Sequence, residues 1–384
     1  MEKIIKNPFI ISGYTSTEYF CDRDVESTEL IGSLLNRRNL VIVSPRRMGK
    51  TGLIAHCFQS KQIAKAHYTF FVDIYATSSL KELVFMLGKQ IFNTLKPKGR
   101  KFAEQFFTAI SSLRPAFKLD PISGQPVFDI GIGDIRQPLI SLEEIFGYLE
   151  SANKPCIVAI DEFQQIIKYS EKNVEAILRT HIQKCKNTTF IFSGSQRHMM
   201  QHIFFSASRP FYQSASFMSL EPIEIESYRK FVQKHFKKAG KKISNECITI
   251  IYNLLEGHTW YMQAIFNRLY EQIDRGGEMS VAAANAVLHA TVESYRTIFQ
   301  SMIAILSERQ KEVLFAIAKE GKAIEITSTD FIKRHGLYSP SSVQSAVRQL
   351  LDKEIITKDE VVYQVYDRFF GLWLSKTYGT GYSL

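Results

Sequence analysis

The segment from Val41 to Phe58, VIVSPRRMGKTGLIAHCF, contains a loop whose residue types suit phosphate binding. Such a loop needs inward-pointing backbone N–H groups, a following helix N-terminus, a lysine for the outer phosphates and a hydroxyl for magnesium. Gly49 allows close approach of the backbone, while Lys50 and Thr51 supply the charge and the hydroxyl. We therefore predict nucleotide contacts from Ser44, Pro45, Arg46, Arg47, Met48, Gly49, Lys50, Thr51 and Gly52.

Ser44 stands where the G-x-x-x-x-G-K-[ST] pattern has its first glycine. That position begins the turn and need not adopt a positive φ, so we expect a small residue to be sufficient there. Pro45 fixes its own φ and stiffens the turn. We interpret the serine as a tolerated variation in a working loop.

Two adjacent acids in the segment IVAIDEF complete a hydrolytic pattern. Asp161 follows four apolar residues and is placed to hold Mg²⁺ together with Thr51. Glu162 is placed to polarise an attacking water, which makes Glu162 and Lys50 the predicted catalytic residues. A nucleotide binder without a hydrolytic step needs only the first acid, so the pair favours hydrolysis.

Further polar residues lie where later strands are predicted to begin or end. Ser193 and Ser195, in FIFSGSQRHMM, could sense a γ-phosphate or simply form a turn. Arg209, in SASRPFY, could supply positive charge to a γ-phosphate in its own subunit or in a neighbour, or could lie on the surface. Arg46 and Arg47 could contact phosphate, contact a carboxylate, or face solvent.

The elements that must position these residues alternate between buried strands and helices. Strands are predicted at 39–43, 67–74, 155–163, 188–195 and 216–223, with helices at 24–38, 50–60, 79–95, 141–150 and 172–185. A hairpin with a Ser-Gly turn is predicted at 114–130. This alternation predicts a parallel sheet covered by helices, with ligands at the carboxyl ends of its strands.

The pattern changes after about residue 224. Helices are predicted at 226–240, 244–256, 259–274 and 280–299, and then three helices and two short strands follow between 307 and 367. The last set has the layout of a winged helix, of the helix-turn-helix class. The predicted domains are therefore 1–223 with the hairpin insertion, 224–299 and 300–384.

The motifs SPRRMGKTGLI, VAIDEFQ, FSGSQRHMM and RPFY resemble those of the prokaryotic archaeal-type ATPases of the STAND and AAA+ group. This family is similar in layout to the replication-origin initiator ATPases. The resemblance covers about residues 18–270, and extends to the winged helix by domain order. It implies an α/β fold: a parallel-sheet P-loop ATPase domain, a helical lid and a C-terminal winged helix. It also implies that the ligands are ATP or ADP with Mg²⁺.

Two family motifs depart from the expected residues. The glycine-arginine-glutamate entry motif, which borders the adenine in the family, falls at Asp22-Arg23-Asp24, and the resemblance implies that Arg23 contacts nucleotide. The family lid has Gly-x-Pro near the nucleotide, and this sequence has Thr259 at the proline position.

Charge along the chain bears on a nucleic-acid partner. The net charge is +10, and residues 61–120 alone carry 10 basic and 4 acidic side chains, with Lys96, Lys98, Arg100 and Lys101 close together. Residues 300–384 carry 11 basic and 10 acidic side chains. The predicted recognition helix offers Ser341, Ser342, Gln344, Ser345 and Arg348. DNA is therefore a candidate partner through the winged helix or through 96–101, and the alternatives are a protein-binding domain and a solvated loop.

The remaining composition is that of an ordinary globular chain. No apolar run approaches the ~18–20 residues of a membrane span, so we expect a cytoplasmic protein without membrane contact. Five scattered cysteines indicate free thiols in a reducing compartment.

Several functions fit these features. We predict a magnesium-dependent ATPase that acts as a switch and transmits its nucleotide state to the lid and the winged helix. The alternatives are a nucleotide-gated DNA-binding protein with slow hydrolysis, a non-catalytic nucleotide-binding scaffold, and a small-molecule kinase. A protein partner or a homo-oligomer is also a candidate, since Arg209 could act on a neighbouring subunit.

Overall fold

The computed structural model describes residues 7–95, 108–110, 112, 117–119, 126–128 and 135–379. The described chain divides into two compact units. The first contains residues 12–222, and the second contains residues 7–11 together with 223–379.

The first unit consists of a sheet covered by helices. Its described helices are α1 Asp24–Leu35, α2 Lys50–Gln59, α3 Lys61–Ala66, α4 Leu80–Leu95, α5 Pro138–Glu150, α6 Val174–Lys184 and α7 Arg197–Phe205. Its described strands are β1 Leu40–Val43, β2 Tyr68–Asp73, β3 Phe117–Leu119, β4 Pro126–Phe128, β5 Cys156–Asp161, β6 Thr188–Gly194 and β7 Ser216–Ser219.

The main sheet has five parallel strands in the order β2-β5-β6-β1-β7. Strand β1 is buried on every residue, because successive side chains enter different cores. Val41 and Val43 join the core built with α4 and α5, while Leu40 and Ile42 join the core built with α1 and α2. This burial on both faces explains the continuous apolar runs in the sequence and confirms the predicted α/β fold.

The five predicted strands of the main sheet are confirmed, with ends shifted by a few residues. Strands β3 and β4 pair antiparallel as the predicted hairpin, with Phe117 opposite Phe128, and the proposed Ser-Gly turn lies outside the described residues. Helices α3 and α7, which are both short, were not predicted. Helix α3 begins at a turn where the Ser60 side chain accepts from the Ile63 N–H.

The second unit is mostly helical. Its described helices are α8 Ile225–Lys238, α9 Asn245–Leu255, α10 Thr259–Gln272, α11 Val281–Glu293, α12 Arg296–Ala304, α13 Glu308–Glu320, α14 Thr329–His335, α15 Pro340–Asp352 and α16 Arg368–Tyr378. Its described strands are β8 Lys242–Ile243, β9 Glu278–Met279, β10 Ile356–Asp359 and β11 Val362–Val365. None of the helices in the described residues has the length and the apolar composition that a membrane span requires.

One predicted helix, 280–299, is two helices in the structure. Helix α11 ends at Glu293 and α12 begins at Arg296. At the break, the Ser294 hydroxyl donates to the Thr291 carbonyl at 2.6 Å. This local bond competes with helix continuation, as serine side chains commonly do.

Residues 7–11 belong to the second unit, although the predicted first domain, 1–223, includes them. Phe9 is fully buried, with ring centroids 5.7 Å from Phe236 and from Phe266. Asn7 Nδ2 donates to the Asn267 carbonyl, and Asn267 Nδ2 donates to the Phe9 carbonyl, both at 2.8 Å. These contacts over more than 250 residues cannot be read from local sequence.

The winged-helix elements follow the predicted order. Ser307 and Gln310 form a reciprocal capping box at the start of α13, and Gly321 ends the helix at φ 71°. Strands β10 and β11 pair antiparallel as the wing. Helix α16 was not predicted, and it buries Phe369, Phe370, Trp373 and Leu374.

Candidate functional site

The loop between β1 and α2 turns into the helix through residues with left-handed backbone conformations. Gly49 caps α2 with φ 96° and ψ 15°, a left-handed conformation that favours glycine. Arg47 also has a positive φ, of 69°. Ser44 is not among the described residues with a positive φ, so the turn does not require a glycine there. Its N–H donates to the Gly194 carbonyl at 3.4 Å, which ties the start of the loop to β6.

Lys50 lies across the inside of this loop. Its side chain is buried, and Nζ donates to the carbonyls of Ser44 at 2.9 Å and Pro45 at 3.2 Å, and to Ser44 Oγ at 3.3 Å. Burial lowers the pKa of Lys50 from its ordinary value, while the nearby Glu162 and Asp161 carboxylates act in the opposite direction. The ammonium is thus held among oxygen acceptors of the kind that phosphate also provides.

The other loop positions differ in exposure. Pro45 is exposed and Met48 is buried, with 2% of its surface accessible. Gly52 lies in the first turn of α2, where an added Cβ would come 3.8 Å from the Phe20 ring. The structure therefore places Met48 inside the fold and Pro45 on the outer side of the loop.

Three predicted residues meet at the carboxyl ends of β5 and β6. Asp161 is buried, and its Oδ2 accepts from Thr51 Oγ1 at 3.1 Å. Its Oδ1 accepts from Ser193 Oγ and from the Glu162 N–H at 3.1 Å. Hydroxyl and carboxylate oxygens are the ligands that Mg²⁺ prefers, so the residues present fit this ion.

Glu162 leaves the strand in an unusual conformation. Its φ is 56° and its ψ is 41°, and the short helix Phe163–Lys168 follows. Glu162 Oε2 accepts from Ser195 Oγ at 2.6 Å and from Gln164 Nε2 at 2.5 Å. The motif VAIDEFQ contains Gln164, but no role was predicted for it because its contact with Ser195 joins residues 31 positions apart.

A further carboxylate, that of Asp73, was missed by sequence reasoning. It ends β2 and pairs in register with Asp161, so it reaches the same edge of the sheet. Its pKa is raised, chiefly by burial and also by the Asp161 and Glu162 carboxylates, while a hydrogen bond from the Tyr75 N–H opposes the shift. An acid at the end of a predicted strand was the signal that could have identified it.

Arg23 contacts the loop backbone from the N-terminal side. Its Nη2 donates to the Glu221 carbonyl at 2.6 Å and to the Met48 carbonyl at 3.5 Å, and its Nη1 pairs with Glu26 at 2.6 Å. The arginine is 5% exposed. It therefore joins the end of the loop to the segment that follows β7, and its contact with nucleotide stays a prediction.

The remaining arginines occupy different surroundings. The Arg46 guanidinium carbon lies 4.7 Å from the centroid of the Tyr75 ring, and its charge opposes the raised pKa of Asp73. Arg47 is exposed. Arg209 pairs with Glu175 on α6 and, within the described residues, makes no hydrogen bond to the loop. The structure thus pairs Arg209 with Glu175 and, within the described residues, shows no hydrogen bond from its side chain to the other predicted site residues.

Two candidate nucleic-acid segments were predicted. The basic stretch 96–101 lies outside the described residues. On α15, four polar residues spaced by three, one and three positions are exposed: Ser341, Gln344, Ser345 and Arg348. Ser342 is half-buried, and the opposite face of the helix packs into the domain core.

Known proteins show the same architecture. A family model described as an ATPase domain predominantly from Archaea matches residues 20–265, and one described as a probable winged helix domain matches residues 297–376. The chain is similar to the Walker-type ATPase of Pyrococcus abyssi, with 18% identity over 96% of this chain and 99% of that one, at a TM-score of 0.66. No curated protein matches the sequence.

Two proteins of Aeropyrum pernix are also similar in structure. The Orc2 protein has 12% identity and a TM-score of 0.57, over 96% of this chain and 97% of that one. The Orc1 protein, in complex with DNA, has 11% identity and a TM-score of 0.51, over 93% of each chain. At these identities, the similarities show the fold alone.

Proposed function

Because this chain belongs to the family of ATPase domains found predominantly in Archaea, we propose that it binds ATP with Mg²⁺, hydrolyses it and transmits its nucleotide state to α8–α12 and the winged helix. Membership confirms the resemblance inferred from its motifs. The observation that carries the proposal is the meeting of Lys50, Thr51, Asp161 and Glu162 at one edge of a parallel sheet.

The proposed binding step uses the loop and the start of α2. The Lys50 ammonium exchanges the carbonyls of Ser44 and Pro45 for phosphate oxygens. The backbone N–H groups at the start of α2 point toward the same anion, because the first turn of a helix leaves them without internal partners. Gly49 permits the close approach.

The proposed hydrolytic step uses the acids. Thr51 Oγ1 and an oxygen of Asp161 would hold Mg²⁺, which neutralises charge on the phosphate oxygens when bound. Glu162 would accept a hydrogen bond from the attacking water and orient it toward the phosphorus atom. Ser193 keeps one oxygen of Asp161 in place.

An oligomeric mechanism would involve Arg209. Since the arginine pairs with Glu175 in this structure, it would have to leave that carboxylate before it could contact a γ-phosphate in its own subunit or in a neighbour. This role is a secondary proposal.

The test is phosphate release in Mg²⁺ and in EDTA, measured for the parent and three variants. We expect Mg²⁺-dependent turnover in the parent and in Glu143→Gln, which changes an exposed acid on α5. Lys50→Ala should lose turnover by losing ATP binding. Glu162→Gln should bind ATP normally and lose about 100-fold or more in rate. Parent-level turnover by Glu162→Gln would show that the assigned mechanism is wrong.

A second candidate function is nucleotide-gated DNA binding, favoured by the exposed polar stripe on α15. The winged helix has a net charge of only +1 from 11 basic and 10 acidic residues, so affinity should be modest and strongly salt-dependent. Duplex binding measured over a salt range with and without ATP tests it. Arg348→Ala should lower the salt slope by about 1, and absence of binding even at low salt would remove this function.

A further inference from the structure

Gln164 occupies a buried position between two residues of the candidate site. It lies in the short helix Phe163–Lys168 and is 2% exposed. Its Nε2 donates to Glu162 Oε2 at 2.5 Å and to Ser195 Oγ at 3.5 Å. Because Ser195 Oγ also donates to Glu162 Oε2, the three side chains form a closed triangle of hydrogen bonds.

The triangle fixes one oxygen of the Glu162 carboxylate. Both donors bind Oε2, and Oε1 takes no hydrogen bond from the described residues. A carboxylate held by two donors on one oxygen loses its freedom to rotate about the last side-chain bond. The other oxygen therefore keeps a defined direction, which is what a water-orienting base requires.

Gly194 provides the space that Gln164 occupies. An added Cβ on this glycine would lie 2.4 Å from Gln164 Oε1 and 2.5 Å from Met200 Sδ. Gly194 has no positive φ to explain its identity, so the close approach of the Gln164 and Met200 side chains is the physical reason for a glycine here. Gly194, the last residue of β6, thus leaves room for the Gln164 side chain at the end of the strand.

Only the amide nitrogen of the Gln164 side chain has hydrogen-bond partners among the described residues. Its Oε1 is buried without a hydrogen-bond partner among the described residues. A buried acceptor left unsatisfied opposes folding, so this side chain is poorly explained by stability. The adjacent Gln165 provides the contrast, because it donates to the Thr77 carbonyl at 3.2 Å.

We propose that Gln164 is a positioning residue that, together with Ser195, holds the Glu162 carboxylate in the orientation needed for ATP hydrolysis. The inference rests on the proposed function, and it assigns Gln164 to the hydrolytic step and not to nucleotide binding. Removing its donor leaves Ser195 as the one remaining donor to Glu162 Oε2 among the described residues, so the carboxylate is held less firmly, while no contact of the phosphate loop or of Asp161 is removed.

The test compares Gln164→Met with the matched control Gln165→Met. Gln164→Met should lower kcat about 10- to 100-fold, the usual loss when a supporting hydrogen bond to an active group is removed, with KM and the Kd for ATP unchanged. Gln165→Met should keep the parent kcat. Gly194→Ala is the second variant: it retains every hydrogen-bonding group but crowds both Gln164 and Met200, so its kcat should also fall.

A double variant separates positioning from a general structural effect. In a Glu162→Gln background, Gln164→Met should cause no further loss, since the carboxylate that it positions is absent. The proposal is overturned if Gln164→Met keeps the parent kcat, if the loss appears in KM, or if the loss is equally large in the Glu162→Gln background. Parent-level turnover by Glu162→Gln alone would instead overturn the proposed function, and this inference with it.

Discussion

At the scale of single residues, the candidate site is held together by hydrogen bonds within the first unit. Lys50 binds the carbonyls at the start of its own loop, and Asp161 accepts from Thr51 and Ser193. These bonds within the protein hold each polar group in place without a ligand. Such preorganisation reduces the conformational cost of binding.

Arg23 illustrates a residue whose structural contacts can be tested directly. Arg23→Met removes donors to the carbonyls of Glu221 and Met48 and to the Glu26 carboxylate. Because the site is buried, we expect a loss of about 1–3 kcal/mol in the free energy of unfolding, measured by urea denaturation. ATP affinity should also fall, since the end of the loop loses a contact.

The control for this prediction is Arg37→Met. Arg37 also has a positive φ, of 53°, and donates to a single carbonyl, that of Lys186, from an exposed position. Its replacement should change stability by no more than about 0.5 kcal/mol. Equal losses for the two variants would contradict the role given to Arg23.

At the scale of elements, helix α16 joins the winged helix to the end of α9. Arg368 Nη2 lies 3.0 Å from Glu256 Oε2, and Gln364 Nε2 donates to Glu256 Oε1 at 3.2 Å. Arg368 also donates from Nε to His258 Nε2 at 3.3 Å. Glu256 ends α9 in a left-handed conformation, at φ 51°. A displacement of α9 would therefore be transmitted to α16 through the polar cluster of Glu256, His258, Gln364 and Arg368.

This cluster predicts a specific loss of stability. Arg368→Ala leaves the Glu256 carboxylate without its main charged partner in a half-buried position, so the free energy of unfolding should fall by about 1–3 kcal/mol. The control is Arg296→Ala, which breaks an ion pair whose arginine is 59% exposed and should cost less than about 1 kcal/mol. Thermal denaturation that ranks the two variants in the opposite order would contradict this account.

Local sequence pattern was sufficient to group several residues of the candidate site. Continuous apolar runs identified the strands, and a parallel sheet brings their carboxyl ends to one edge, so Lys50, Thr51 and Asp161 could be grouped without coordinates. The pairing of Arg209 with Glu175 could not be predicted, because the two residues are distant in sequence and the chain offers many acids as partners. Gln164 was missed because its partners depend on the turn at Glu162.

At the scale of the whole molecule, the chain carries an ATPase-family match over residues 20–265 and a winged-helix match over 297–376. Residues 7–11 return to pack with the second unit, through the burial of Phe9. The order of the main-sheet strands and of the winged-helix elements was predictable from sequence, although α3, α7 and α16 were missed. The return of the N-terminal segment depends on a pocket assembled from α8 and α10, which local sequence does not reveal.

The most direct test of the central claim is the identity of the nucleotide that each variant retains. The parent, Lys50→Ala and Glu162→Gln are incubated with ATP and Mg²⁺, freed of unbound nucleotide and analysed by chromatography after acid quenching. We expect ADP from the parent, intact ATP from Glu162→Gln and no retained nucleotide from Lys50→Ala. ADP formed by Glu162→Gln at the parent rate, or nucleotide retained by Lys50→Ala, would contradict the central claim.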